Sequence, residues 1–129
     1  MLLDKQLLDQ LSQSANENPR LRASFDLRNT EKDGSQRMLN ALQPGTILPI
    51  HRHPFTTETL IMLRGSVCHK FYNEKAEVTD TFLLKAGGEC SALQIPAGQF
   101  HSLECLEPDT VIFETKDGPY MPVSSEDIL

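Results

Sequence analysis

The chain has 129 residues, 39% hydrophobic and 23% charged, the proportions of one globular domain and not of a disordered chain. Eighteen acidic against twelve basic residues leave a net charge of −6, which works against non-specific binding of nucleic acid. No apolar run approaches the roughly 18 residues that a membrane span requires, so neither nucleic acid nor membrane is an expected partner.

Taken in chain order, residues 4 to 15 read as an amphipathic helix, because Leu7, Leu8 and Leu11 recur at helical spacing with Leu3 a turn earlier. Asp4 is placed to cap it, and Asn16 to Pro19 to end it. The opening MLLDKQLLDQLSQS carries acids and glutamines where a secretory signal has a basic and then an apolar stretch. Cys68, Cys90 and Cys105 are odd in number and widely spaced, with no CxxC pair. Both features lead to the expectation of a reducing cytoplasm.

After Pro19 no helical period returns. Short strand-like runs follow instead, at 22–27, 36–42, 46–53, 57–63, 65–72, 77–84, 92–96, 101–106 and 110–116. Turn residues punctuate them, among them Lys32-Asp33-Gly34, Pro44-Gly45, Gly87-Gly88, Pro96-Ala97-Gly98 and Asp117-Gly118-Pro119. Strands about ten residues apart with no helix between them predict an all-β antiparallel barrel or sandwich. The division is residues 1–19 for the helix and its turn, and 20–129 for the barrel, in one domain. Leu60-Ile61-Met62-Leu63 is apolar on both faces, so the helix or a second subunit should cover its outer side, and a homodimer is expected on that ground.

The chemistry concentrates between Gly45 and Gly65. His51 and His53 are two apart, so on a strand their imidazoles leave the same face. A turn at Pro54 would start a hairpin whose second strand opens on Glu58 and returns its carboxylate to the histidines. Two imidazoles and a carboxylate suit a divalent transition metal such as iron, manganese, nickel, zinc or copper. His101, aimed by Pro96-Ala97-Gly98, is a fourth candidate, and four ligands leave positions open for a small molecule. His69 has no partner at ligand spacing and reads as an exposed strand histidine.

These residues resemble the cupin superfamily. Gly45, His51, His53, Glu58 and Gly65 fit its first motif, G-x5-H-x-H-x4-E-x6-G, at every spacing. Pro96, Gly98 and His101 fit the second, G-x5-P-x-G-x2-H-x3-N, but seven residues separate Gly88 from the proline and Cys105 stands in place of the asparagine. That departure puts a thiol on the strand face of His101, about 13 Å further along. Asn18-Pro-Arg-Leu-Arg22, the run Gln36 to Gly45, His51-Arg-His-Pro54 and Gly118-Pro-Tyr120 further resemble the WbuC family of cupin-fold metalloproteins, which is associated with bacterial surface-polysaccharide gene clusters. The resemblance implies a conical β-barrel, or jelly roll, with a metal held by His51, His53, Glu58 and His101.

All six arginines fall between positions 20 and 64, a window that nets +3 while the remainder nets −9. Guanidinium forks bind carboxylates and phosphates, so arginines near an open metal site point to a small anionic ligand. Exposed ion pairing is the plainer use of the same residues. Arg22 and Arg37 are the leading candidates because they lie in the segments that carry the resemblance, whereas Arg52 should alternate outward between the two histidines. Cys105 is a candidate for the pocket wall, although packing is the ordinary fate of a free cysteine. Tyr120 is a candidate for closing over the barrel mouth or for anchoring the tail. Two functions follow as expectations: a metal-dependent enzyme acting on a small, sugar-derived anion as an isomerase, epimerase or dioxygenase, or a metallocupin that binds or senses such a ligand without converting it.

Overall fold

A computed structural model describes residues 1–129. Helix α1 spans Lys5–Glu17, and the side chain of Asp4 caps it by accepting from the Leu7 N–H at 3.0 Å. Eight strands follow: β1 (Arg22–Asp26), β2 (Gln36–Leu42), β3 (Glu58–Arg64), β4 (Ser66–Tyr72), β5 (Val78–Lys85), β6 (Ala92–Ile95), β7 (Phe100–Cys105) and β8 (Thr110–Lys116). They form two antiparallel sheets, one in the order β1-β2-β8-β3-β6 and the other β5-β4-β7. A short 3-10 turn, Ser125–Asp127, sits near the C-terminus, and no helix is long and apolar enough to cross a membrane.

The core lies on two sides of the larger sheet. Alternation along β8 sends Val111 and Phe113 outward and Ile112, Glu114 and Lys116 inward. Outward residues of β2 and β8 (Leu39, Ala41, Val111) pack against Leu8, Leu11 and Ala15 of α1. Between the sheets, Leu42, Leu60, Met62, Ile95 and Ile112 meet Val67, Leu84 and Cys105. Burial of these side chains supplies the main stabilisation, about 1.5–3 kcal/mol for each large apolar one. The helix packs on β1, β2 and β8 and leaves the outer face of β3 half open, so Ile61 is 42% and Leu63 39% exposed.

The predicted strand at 46–53 does not form. That segment is extended and makes only isolated bridges, from His51 to His101 and from His51 to Ile128. The predicted hairpin is therefore replaced by a different arrangement. His51 exchanges two backbone hydrogen bonds with His101 (3.1 and 2.9 Å), while β3, with Glu58 at its start, pairs with β6 and β8. Pro49 lies within the segment and Pro54 follows it, and proline cannot donate to a sheet ladder, which explains why regular pairing fails there.

Candidate metal centre

Three imidazoles converge inside one end of the barrel. The ligand atoms of His51, His53 and His101 all lie within 4.8 Å of one another. His51 and His101 are brought side by side by their backbone bridge, and the Gly98 N–H, in the Pro-Ala-Gly turn, donates to the His53 carbonyl at 2.9 Å. Glu58 arrives from the opposite sheet, 5% exposed, with its Oε2 at 3.4 Å from His101 Nε2 and 3.7 Å from His53 Nε2.

The hydrogen bonds behind the rings set their tautomers. His51 Nδ1 donates to the Pro49 carbonyl and His101 Nδ1 donates to the Gln99 carbonyl, each at 2.9 Å. A carbonyl only accepts, so both Nδ1 atoms carry hydrogen and a neutral ring then turns an Nε2 lone pair toward the centre. Glu58 Oε2 is fully buried without a hydrogen-bond partner. A carboxylate lone pair and an imidazole lone pair thus face each other at 3.4 Å, an arrangement that calls for a cation between them. The donor set, nitrogen and carboxylate oxygen, is one that divalent transition metals accept.

The electrostatics agree with neutral rings at His51 and His53. Burial, then the nearby His101, pushes the His51 pKa down, and burial brings His53 down to about 4 against the opposing pull of Glu58. For Glu58, burial alone would raise the pKa, but the contact with His101 and the charge of Lys116 outweigh it and hold the carboxyl below its ordinary range. Metal binding requires this pair of states, neutral imidazole and ionised carboxylate.

The histidines open into a cavity of about 340 Å³ whose wall also includes Arg20, Arg22, Asn40, His69, Glu114 and Lys116. Arg20 and Arg22 stand on either side of Leu21, whose backbone is left-handed (φ 55°) and is held there by Gln43 N–H and Thr46 Oγ1, both donating to its carbonyl. Four of the six arginines are ion-paired: Arg28 with Asp26, Arg37 with Asp33, Arg52 with Asp127 and Arg64 with Asp9. The two without a carboxylate partner are Arg20 and Arg22, the two that reach the cavity. Burial, then Arg20, lowers the Arg22 pKa.

The other candidates are placed elsewhere. Arg37 lies outside the barrel, tied to Asp33 at 2.9 Å. Cys105 is 4% exposed in the core between the sheets, and its Sγ donates to the Glu107 carbonyl at 3.2 Å. Burial raises its pKa, and the residue does not line the cavity. Tyr120 is 58% exposed beside Arg28 and lines a second cavity of about 460 Å³, which shares His53, Lys116 and Val123 with the first. Arg52 points away from the cavity as alternation requires, over the ring of Phe100 at 4.6 Å.

His69 is a correction: it is not an exposed strand histidine. It is 1% exposed and stacks on His101, with ring centroids 5.5 Å apart and planes at 20°. Burial, then His101, brings its pKa down to about 4. The alternation Val67, His69, Phe71 along β4 carried that signal, since Val67 and Phe71 are core residues. Glu114 was legible in the same way from Ile112. Its carboxyl is raised well above the ordinary range by burial and by the charge of Glu58, with Lys116 Nζ 3.8 Å away.

Known structures share this architecture. A mutant of Bacillus subtilis oxalate decarboxylase superposes with a TM-score of 0.61 at 20% identity, over 77% of this chain and 26% of that one. KdgF from Halomonas sp. gives 0.62 at 14% identity, over 81% of this chain and 84% of that one. An oxalate oxidase in complex with glycolate gives 0.63 at 18% identity, over 83% and 56%. The chain therefore spans about a quarter of the decarboxylase, and at these identities the likeness shows the fold alone, which is that of the cupins. No curated protein matches the chain by sequence. Residues 3–84 match the model described as Domain of unknown function (DUF6016), and the chain belongs to that family.

Proposed function

We propose that this protein is a metal-dependent cupin enzyme acting on a small anionic, sugar-derived substrate by proton transfer, as an isomerase or epimerase. The observation that carries the metal is the pair of facing acceptors, His101 Nε2 and Glu58 Oε2 at 3.4 Å, with the His101 Nδ1 committed to a carbonyl. On this reading His51, His53, Glu58 and His101 hold one divalent ion. When bound, such an ion supplies Lewis acidity toward a carbonyl or hydroxyl oxygen. The chain's own part is to hold the anion with Arg20 and Arg22, whose guanidiniums have no carboxylate of their own. Glu114 and Lys116 line the same cavity and are the chain's own candidates for proton donor and acceptor in this proposal.

The resemblance to the WbuC family supports a role in surface-polysaccharide metabolism, and the three widely spaced cysteines without a CxxC pair support a cytoplasmic location, both part of this proposal. The half-exposed Ile61 and Leu63 on β3 support a homodimer, which light scattering on a size-exclusion column would test. The test of the function is elemental analysis of protein purified without a metal-affinity tag, beside His51→Ala. Zinc, nickel or manganese near one per chain, lost in the variant, is expected, with conversion of small sugar acids followed by mass spectrometry. Iron with substrate-dependent oxygen uptake would replace proton transfer by a dioxygenase reaction. Ligands that raise the melting temperature and return unchanged would make the protein a binding module, and no metal in either protein after reconstitution would end the metal reading.

A further inference from the structure

We infer that His69 is a ligand-contacting residue that recognises a hydroxyl group, which makes the molecule bound in the cavity a small hydroxycarboxylate. The inference rests on the reading of the cavity as a metal and anion site, and adds to it the substrate class. His69 lies mid-strand on β4, opposite Leu103 of β7 and Phe82 of β5, where a leucine would pack without loss. Its ring instead carries a fully buried Nδ1 with no hydrogen-bond partner. Leaving that nitrogen desolvated and unpaired costs free energy that a leucine would not, and the ring nitrogen left open to the cavity is Nε2, which no hydrogen bond of the chain engages.

The geometry separates His69 from the ligand group. His51, His53 and His101 form the converging set, and His69 stands behind His101, packed ring on ring and edge-on to Phe71. In His51 and His101 the Nδ1 is tied to a backbone carbonyl, which frees Nε2 for the centre. His69 has no such tie, and it lines the same cavity as Arg22 and Lys116. A neutral imidazole offers one donor and one acceptor. With no backbone bond to fix the tautomer, His69 Nε2 can donate or accept, and a hydroxyl answers it in either state, whereas a carboxylate only accepts and is matched by the guanidiniums. A cavity of about 340 Å³ is at the small end for ligand sites, which suits a short hydroxy acid and not a nucleotide-linked sugar.

Titration calorimetry on the zinc-loaded full chain tests this with glycerate and propionate, three-carbon acids that differ only in their hydroxyls. His69→Phe keeps the ring stack and removes the nitrogens, and His69→Gln restores a donor and an acceptor. The wild type should prefer glycerate. In His69→Phe the glycerate-to-propionate ratio should fall about tenfold, the loss of one hydrogen bond, with zinc content and propionate affinity unchanged. His69→Gln should recover part of the ratio, and it carries the test if the phenylalanine variant does not fold. An unchanged ratio in a folded variant overturns the role of His69 alone. Loss of zinc from either variant also overturns it, by making His69 part of the metal set. A wild type that holds zinc and binds neither acid overturns the anion reading beneath it, a result distinct from the other two.

Discussion

Arg52 and Asp127 are joined across 75 residues of chain, with guanidinium Nε donating to carboxylate Oδ1 at 2.8 Å. The pair fastens the C-terminal segment beside the two-histidine segment, together with backbone bonds from Arg52 to Asp127 and from Leu129 to Ile50. The same segment supplies Val123 and Ile128 to the cavity wall. The tail is therefore part of the site.

Asp127→Asn should loosen this fastening and lower the melting temperature by roughly 2–5 °C at neutral pH. The hydrogen bond from Arg52 holds the Asp127 carboxyl below its ordinary pKa. A carboxyl depressed in the folded state stabilises in full above its unfolded value, near about 3.9, and loses that contribution as pH falls through the folded value. Melting curves of the two proteins should thus lie apart at pH 7 and draw together below about pH 4. A gap that widens in acid would contradict the assignment.

Glu58→Gln separates a metal from a proton as the cation between Glu58 and His101. If the metal-free ring is neutral, its Nε2 faces a carboxylate oxygen at 3.4 Å with no hydrogen between them. An amide can donate there, and the gain is that of one buried hydrogen bond, about 1 kcal/mol. In chelator the variant should melt a few degrees above the wild type. In excess metal the order should reverse, because a ligand at 100 times its dissociation constant stabilises the wild type by about 2.7 kcal/mol. A variant less stable than the wild type in chelator would mean that His101 is an imidazolium paired with Glu58.

The fold was readable from spacing because helical and strand periods leave plain marks. Leu8 and Leu11 announce the buried face of α1, and Ile112 against Val111 announces the two faces of β8. The convergence of His51, His53 and His101 beside Glu58 was readable too, since motif spacing survives even where the local structure differs from the expected hairpin. Less legible was the wall of the cavity. Arg22 and Arg37 look alike in sequence, and only the position of Asp33 four residues before Arg37 hints that one is already paired. Arg20 reaches the cavity around a left-handed leucine, a conformation that no propensity rule assigns to that residue type. His69 was misplaced although β4 alternates cleanly, because an unpartnered polar residue in a core runs against the usual cost of burial.

Arg22→Ala should weaken binding of a small dicarboxylate such as malonate to the zinc-loaded protein by about tenfold or more, the worth of a charge-assisted hydrogen bond in a partly dry site. Arg37→Ala should leave that affinity within about twofold, because its guanidinium is spent on Asp33, Ser35 and the Leu27 carbonyl outside the barrel. Raising salt from 50 to 500 mM should weaken malonate binding in the wild type more than in Arg22→Ala, since screening acts on the charge the variant has lost. Equal losses in the two variants would return the arginine cluster to general surface charge.

Gly65→Ala should be more damaging than any of these single polar changes. Gly65 turns the chain from β3 into β4 with φ of +73°, a region a side chain enters at a cost. An added Cβ would also lie 2.2 Å from Thr110 Oγ1 and 2.9 Å from Thr110 Cα. Thr110 is fully buried and its hydroxyl donates to the Glu107 carbonyl at 2.8 Å, so it has no room to yield. Strain of about 1 kcal/mol from the dihedral and a further 1–3 kcal/mol from overpacking should together lower the melting temperature by about 10 °C or more. The clash sits at the far end of β3 from Glu58, so folded variant at low temperature should still bind one metal ion per chain. Metal loss without loss of stability would mean that the turn holds the site directly and not through the fold.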